Sequence, residues 1–269
     1  MPSIKDTPQQ VSPDLDSSVR TSVLGVGVSA VNLDTATQTI LGWIDRSERK
    51  FVTVTDVHGL IQAQDSAEFK KILNSSGMTV PDGMPLVWLS QLAGHPEVSR
   101  VCGYDFTLTL SQALALRKGR VFYYGGAPGV AEQLAKNLEA RFPGLETAGT
   151  YSPPYRDLNP EEEEKIFELI NSSRADVLWV GLSTPKQERW MSRYRSKLNV
   201  PALIGVGAVF DFLTGRVKRA PAWIQQTGFE WLYRVSQEPR RLLKRYLRTH
   251  PRFVYYIACE KLKLRRFDA

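Results

Sequence analysis

Short, nearly continuous apolar runs alternate with stretches of helical period along most of this chain, and nothing else in it restricts the fold so tightly. Val23–Val28, Phe51–Thr55, Val121–Tyr124, Val177–Val180 and Ala202–Val206 read as strands. Apolar residues on consecutive positions suit strands covered on both faces. Between the strands, helical periodicity occupies about 34–46, 60–74, 104–117, 129–141, 160–173 and 185–197. Asn159-Pro160-Glu161 opens one of these helices with an N-cap, a proline at the first helical position and acid in the first turn. Strand and helix in alternation predict an α/β fold, a mostly parallel sheet with helices on both faces.

The 269 residues, 42% apolar and 23% charged, suit one sizeable domain, or a domain with an appendage. No window reaches the ~20 apolar residues of a membrane span; the longest, Val200–Leu213, is cut by Asp211. Residues 1–20 carry no apolar segment of the secretory kind and read as a flexible leader. Cys102 and Cys259 make neither a disulfide framework nor a metal spacing, which fits a reducing cytoplasm. The charge is uneven. From Arg216 onward, fourteen Lys and Arg face four acids, a segment of +10, which leaves −3 for the rest of a chain whose net charge is +7. Such a tail points to an anionic partner: a lipid surface, a diphosphate or a nucleic acid. The expected division is a leader over 1–20, an α/β body over 21–212 and a basic helical appendage over 213–269. In the appendage Leu242, Leu243, Tyr246 and Leu247 share a helical face, and Pro239 and Pro251 stand where two further helices would begin.

Several strand ends carry chemistry. Val121–Gly129 is a buried strand, a Gly-rich turn and a helix start, which suits a phosphate or serves as a tight βα turn. Asp82, after Val80-Pro81, is either Asp-Gly turn chemistry or a general base at the carboxyl edge of the sheet. Thr53, Thr55, Asp56 and His58 gather at one strand end as substrate hydrogen-bonders or a strand-end cap. His58, His95 and His250 have no zinc spacing. Pro185 opens a helix whose first turn carries Lys186, Gln187 and Glu188. Gly205 and Gly207 permit close backbone approach, and Asp211 interrupts an apolar run, as a ribose contact or a cap. Arg216, Lys218 and Arg219 either meet a diphosphate or stand in solvent.

Six segments in order, PDGMPLVW (81–88), RVCGYD (100–105), VFYYGGAPGV (121–130), VLWVGLSTPKQE (177–188), GVGAVFDFLTGRVKRAPAW (205–223) and FEWLYRVSQEPRR (229–241), resemble the WecG/TagA/CpsF family of bacterial glycosyltransferases. The resemblance implies a Rossmann-like α/β body with a C-terminal helical appendage. It implies transfer, with inversion and without a metal, of an N-acetylmannosamine-type sugar from a UDP donor. The acceptor would be a sugar on a polyprenyl diphosphate at the cytoplasmic face of the membrane, for cell-surface polysaccharide. Carried over by motif, Asp82 is the general base and Thr53 the strand-end threonine near the sugar. Arg100 and Gln187 fall at sugar-pocket positions. Gly125, Gly126 and Asp211 fall at uridine-diphosphate contacts, and Arg234 and Arg241 are the appendage arginines that close over the diphosphate. Thr55, Arg219 and Arg240 complete the substrate-binding set. The chain departs from the family pattern at Thr55-Asp56-Val57, where many members have Asn-Pro-Glu, at Ser183, usually glycine, and over Tyr151–Arg156.

The implied step is a single displacement, with Asp82 taking the acceptor proton and arginines meeting the charge on departing UDP. The basic tail would also hold the enzyme to an anionic leaflet, with Trp231, Tyr246, Phe253, Tyr255 and Tyr256 at the lipid. Other classes fit parts of the sequence. A nucleic-acid-binding protein would use the basic tail but leaves Asp82 and the Gly-rich strand ends unexplained, so no nucleic acid is expected. A nicotinamide oxidoreductase would need GxGxxG, and Gly25-Val-Gly27 lacks the third glycine. A non-catalytic adaptor would use the tail alone. The tail's apolar face would pack on its own body, on lipid or on a second copy, which leaves a homo-oligomer open.

Overall fold

Strands buried on nearly consecutive residues build most of the central sheet of the computed structural model, which describes residues 19–221, 224 and 230–268, with the side chain of residue 241 outside that set. Its strands are β3 (Lys50–Thr55), β4 (Met78–Pro81), β5 (Arg120–Gly125), β6 (Glu146–Tyr151), β7 (Val177–Gly181) and β8 (Ala202–Gly205). They pair in the order β4-β3-β8-β7-β5-β6, every neighbour parallel. Val177 and Trp179 of β7 enter the core on one face, Leu178 and Val180 that on the other. The expected α/β fold with a parallel sheet is therefore what the chain adopts. The expected leader lies, through residue 18, outside the described residues, and Arg20 already belongs to a strand.

Helices α1 (Leu33–Asp45), α5 (Gly103–Ala115), α6 (Val130–Arg141) and α9 (Val209–Leu213) cover one face, where Phe106 meets Trp179 edge-on at 6.2 Å. Helices α7 (Pro160–Ser172) and α8 (Lys186–Tyr194) cover the other. Helices α2 (Val57–Asp65), α3 (Ala67–Ser75) and α4 (Met84–Leu92) enclose a third apolar cluster at the β4 edge. The single helix expected over 60–74 is broken by Ser66, whose hydroxyl caps α3 by accepting from Phe69 N at 3.2 Å.

The strand expected over Val23–Val28 is instead a hairpin. β1 (Arg20–Val23) and β2 (Val26–Ser29) pair antiparallel around Leu24 and Gly25, whose φ values are 53° and 75°. Two positive φ angles give the two-residue turn that matches strand twist. Leu24 tolerates the position because its side chain is fully buried in the third cluster.

The appendage is two helices among the described residues, α10 (Glu230–Gln237) and α11 (Pro239–Lys261). Pro239 opens α11 as expected, but Pro251 lies inside it rather than starting another helix. α11 packs on α2. Phe253 is buried among Leu60, Leu73 and Leu86, and Arg252 grips Asp65 with two hydrogen bonds, at 2.9 and 2.5 Å. Of the five aromatics expected at lipid, Tyr246 and Phe253 are buried, Trp231 packs on Tyr246 and His250, Tyr256 lies on Phe267, and only Tyr255 is exposed. Leu242 is buried as well, whereas Leu243 and Leu247 face outward.

Candidate active site

Four parallel strands, β4, β3, β8 and β7, end on one cleft of about 250 Å³. Open α/β sheets bind ligands at such carboxyl ends, because the loops there are free of sheet packing and converge. Asp56 follows β3, Asp82 to Pro85 follow β4, Ser183 and Thr184 follow β7, and Val206 to Val209 follow β8. Glu230, Trp231 and Arg234 of α10 and Arg245, Tyr246 and His250 of α11 complete the wall.

Asp82 is fixed by its backbone. Its N–H donates to Thr55 O at 2.9 Å, and its carbonyl accepts from Arg100 Nε at 2.6 Å. Its side chain retains 31% exposure and lines the cleft. Burial pushes its pKa up to about 6, with Asp56 and Glu230 adding to the rise and Arg100 and Arg234 opposing it. Arg100 lies 3.4 Å from Asp82 Oδ1 and 2.7 Å from Glu230 Oε2, so it ties the body to α10. Burial alone would lower the Arg100 pKa, but Asp82, Cys102 and Glu230 hold it above the usual range. The result is a carboxyl that is half-titrated near pH 6 and a base above it.

Arg219 reaches the cleft with its charge already engaged. It binds Asp105 through both oxygens, at 2.7 and 2.6 Å, and stacks over Tyr104 at 4.2 Å. Cys102 sits between them, 3.1 Å from Asp105 Oδ2, and burial pushes its thiol up to about 12. It is therefore an inert thiol at neutral pH. Arg234 lies over Phe212 at 5.4 Å, and Arg245 lies over Tyr246 at 5.1 Å. Among the described residues neither has a carboxylate within ion-pair distance, which leaves both for an anionic ligand. Burial holds His58 and His250 below the usual imidazole range against the pull of Asp56, so both are neutral at pH 7.

Gln187 is a brace as well as a wall residue. Its Oε1 accepts from Gly207 N at 2.9 Å, and its Nε2 donates to Glu188 Oε1 at 3.0 Å. Thr184 Oγ1 donates to the same Glu188 oxygen at 2.8 Å. This fixes the loop after β8, where Gly207 has φ +57°. Ser183 takes φ +64°, a left-handed conformation that favours glycine.

Five of the twelve site residues expected from sequence line the cleft: Asp82, Arg100, Gln187, Arg219 and Arg234. Thr53 does not. It is fully buried inside the sheet, in a hydroxyl chain with Thr79 at 3.1 Å and Thr55 at 3.4 Å. Thr55 is likewise buried beneath Gly59. Gly125 and Gly126 lie outside the lining. A Cβ on Gly125 would strike Gly181, and one on Gly126 would press on Val130 and Phe210, so close packing of β5, β7 and α9 accounts for both. Asp211 lies outside the lining, 3.8 Å from Arg216, although its neighbours Ala208, Val209 and Phe212 line the cleft. Arg240 is exposed outside it, and the Arg241 side chain lies outside the described residues. Sequence reasoning passed over Arg245, Glu230, His250 and Asp105. For Arg245 the only signal was its place on the basic helix, shared with its neighbours.

Among the described residues no three His, Cys, Asp or Glu are placed to hold a metal ion. A sheet-edge cleft with one raised carboxyl and several converging arginines, roofed by basic helices, has the makings of an α/β glycosyltransferase. Residues 21–267 match the model of the Glycosyl transferase WecG/TagA/CpsF family, and the chain belongs to that family and is a glycosyltransferase. It is 31% identical over 199 residues to an N-acetylglucosaminyldiphosphoundecaprenol N-acetyl-beta-D-mannosaminyltransferase of Bacillus spizizenii, covering 74% of this chain and 76% of the relative. A Bacillus subtilis protein of the same name is 28% identical over 199 residues, with the same coverage of each.

Proposed function

We propose that this enzyme transfers an N-acetylhexosamine of the mannosamine type from a UDP donor to a sugar carried on polyprenyl diphosphate, with inversion. Asp82 carries this reading: a carboxyl on a fixed backbone, with a pKa near 6, that lines the cleft. Above that pH it accepts the proton of the acceptor hydroxyl as the oxygen attacks the anomeric carbon. The sugar–phosphate bond breaks, and UDP leaves with the electron pair. Arg234 and Arg245 meet the charge that develops on the leaving phosphate, the task a metal ion performs in other glycosyltransferases. The acceptor class follows the relatives' names, which specify a diphosphoundecaprenol-linked sugar.

The same reading places the enzyme at the inner face of the membrane as a peripheral protein. No helix among the described residues is long and apolar enough to cross a bilayer. The outward face of α11 nevertheless shows Leu243, Leu247, Val254 and Tyr255 beside Arg240, Lys244 and Arg248, the pairing of apolar and basic groups that binds an anionic leaflet. The test is UDP release from a panel of UDP-sugars with a short-chain polyprenyl-diphosphate sugar. Acceptor-dependent release with one donor, lost in Asp82→Asn, is the expected result. Release that persists in Asp82→Asn refutes the base assignment, and silence with every UDP donor refutes the donor class.

A further inference from the structure

The acceptor hydroxyl has to lie against Asp82, so the rest of the acceptor must leave the cleft past whatever borders that carboxyl. The chain turns at Gly83 and at once begins α4, with Met84 and Pro85 lining the cleft. Residues four apart on a helix lie one above the other. Trp88 and Leu92 therefore continue the line of Met84 outward, over about 12 Å of helix rise. Both are open to solvent, Trp88 at 48% and Leu92 at 77%. Not one charged residue occurs from Met84 to Leu92. The opposite side of α4 is anchored: Leu86 and Val87 are buried, and Leu86 and Leu89 pack in the third apolar cluster. The stripe is thus an apolar surface that starts beside the Asp82 loop and runs out of the site, with Trp88 about half and Leu92 mostly open to solvent.

We propose that Met84, Trp88 and Leu92 form the track along which the polyprenyl chain of the acceptor leaves the cleft. This rests on the acceptor reading above and deepens it. A lipid-linked acceptor presents, in order, a sugar, a diphosphate and a branched hydrocarbon. The cleft holds the first two against Asp82 and the arginines, and the stripe meets the isoprene units that follow. Trp88 gives a broad flat surface to their methyl branches, and Leu92 extends it toward the bilayer that holds the remainder of the chain. Hydrocarbon binding to an exposed apolar stripe is driven by the area removed from water, so the track favours long-chain acceptors over truncated ones.

The experiment compares two water-soluble acceptors, the methyl and farnesyl diphosphate esters of N-acetylglucosamine, with the full chain and without detergent. The wild type favours the farnesyl ester in kcat/KM. In the double variant Trp88→Gln, Leu92→Gln that preference falls by about tenfold, the loss expected from removing two large apolar contacts. Leu92 is mostly exposed but half of Trp88 is packed, so the thermal midpoint of the variant is measured alongside, and the ratio of the two esters, which a general loss of folded protein does not move, is the readout. An unchanged farnesyl-to-methyl ratio overturns the proposal. If the ratio holds while binding to phosphatidylglycerol vesicles drops, the stripe is a bilayer contact instead. If the ratio holds while a dimer dissociates in sedimentation, it is an interface between copies. A wild type that uses UDP donors but turns over neither ester refutes the acceptor reading itself, and the track with it.

Discussion

Replacing Asp82 by Asn should destroy transfer and stabilise the fold. The carboxyl is raised from 3.8 to about 6, chiefly because burial disfavours its charge. Between those two pH values the folded protein holds a proton that the unfolded chain has already lost. Wild-type stability therefore falls as pH rises through this window, by at most roughly 3 kcal/mol for a shift of about 2 units. The side chain opens partly to the cleft, so solvent screening reduces the expected cost to about 1–2 kcal/mol. Asparagine has no proton to lose and keeps the carbonyl that accepts from Arg100 Nε, while Arg100 retains Glu230 at 2.7 Å. Urea titrations of the two proteins should nearly coincide at pH 3.5. They should separate as pH rises to 6.5, with the variant the more stable, and stay apart above it. Wild-type kcat/KM should climb over the same interval. A stability difference that is flat with pH, or a variant less stable than wild type at pH 7.5, would show that the carboxylate is well solvated and would remove the argument for Asp82 as the base.

Three further outcomes follow from named contacts. Arg245→Ala should lower kcat by on the order of 100-fold, with an unchanged melting temperature, since the guanidinium faces the cleft with no carboxylate partner; normal turnover would exclude it from meeting the leaving phosphate. Ser183→Gly should stabilise the protein by about 1 kcal/mol by relieving the left-handed backbone, read as a higher urea midpoint. Phe253→Ala should cost about 3 kcal/mol or more, because this appendage side chain fills the cluster under α2; a midpoint within error of wild type would mean that α11 is not part of the folding unit.

The parallel sheet was legible because its inner strands are apolar on consecutive positions, as Val177–Val180 shows. The outer strands were not. β4 ends in Pro81, tolerated because it lies at the sheet edge, and β6 (Glu146–Tyr151) is only half-buried, so neither stood out from its surroundings. The hairpin escaped notice because its turn is Leu24-Gly25, without the asparagine or aspartate that usually marks two positive φ angles. At the site, Asp82 and Arg100 were found through motif, and the structure brings them together. Motif did not reveal what each residue touches. Gly125 and Gly126 are explained by backbone packing, and Thr53 by a buried hydroxyl chain, neither of which a one-dimensional pattern distinguishes from ligand contact. Arg245 became distinctive only when α11 folded back over α2 and brought one of many basic residues to the cleft.

The cleft draws Asp82 and Arg100 from the first half of the chain, and Glu230, Arg234, Arg245 and His250 from a segment that follows the last strand of the sheet. On the ribosome the sheet can therefore be complete while the pocket still lacks one wall. On the proposed mechanism, a nascent or prematurely terminated chain would own the base, Asp82, but not Arg234 and Arg245, assigned to the leaving phosphate. If that mechanism holds, an unfinished protein would not waste activated sugar, and competence would arrive only when translation had passed the second of the two basic helices.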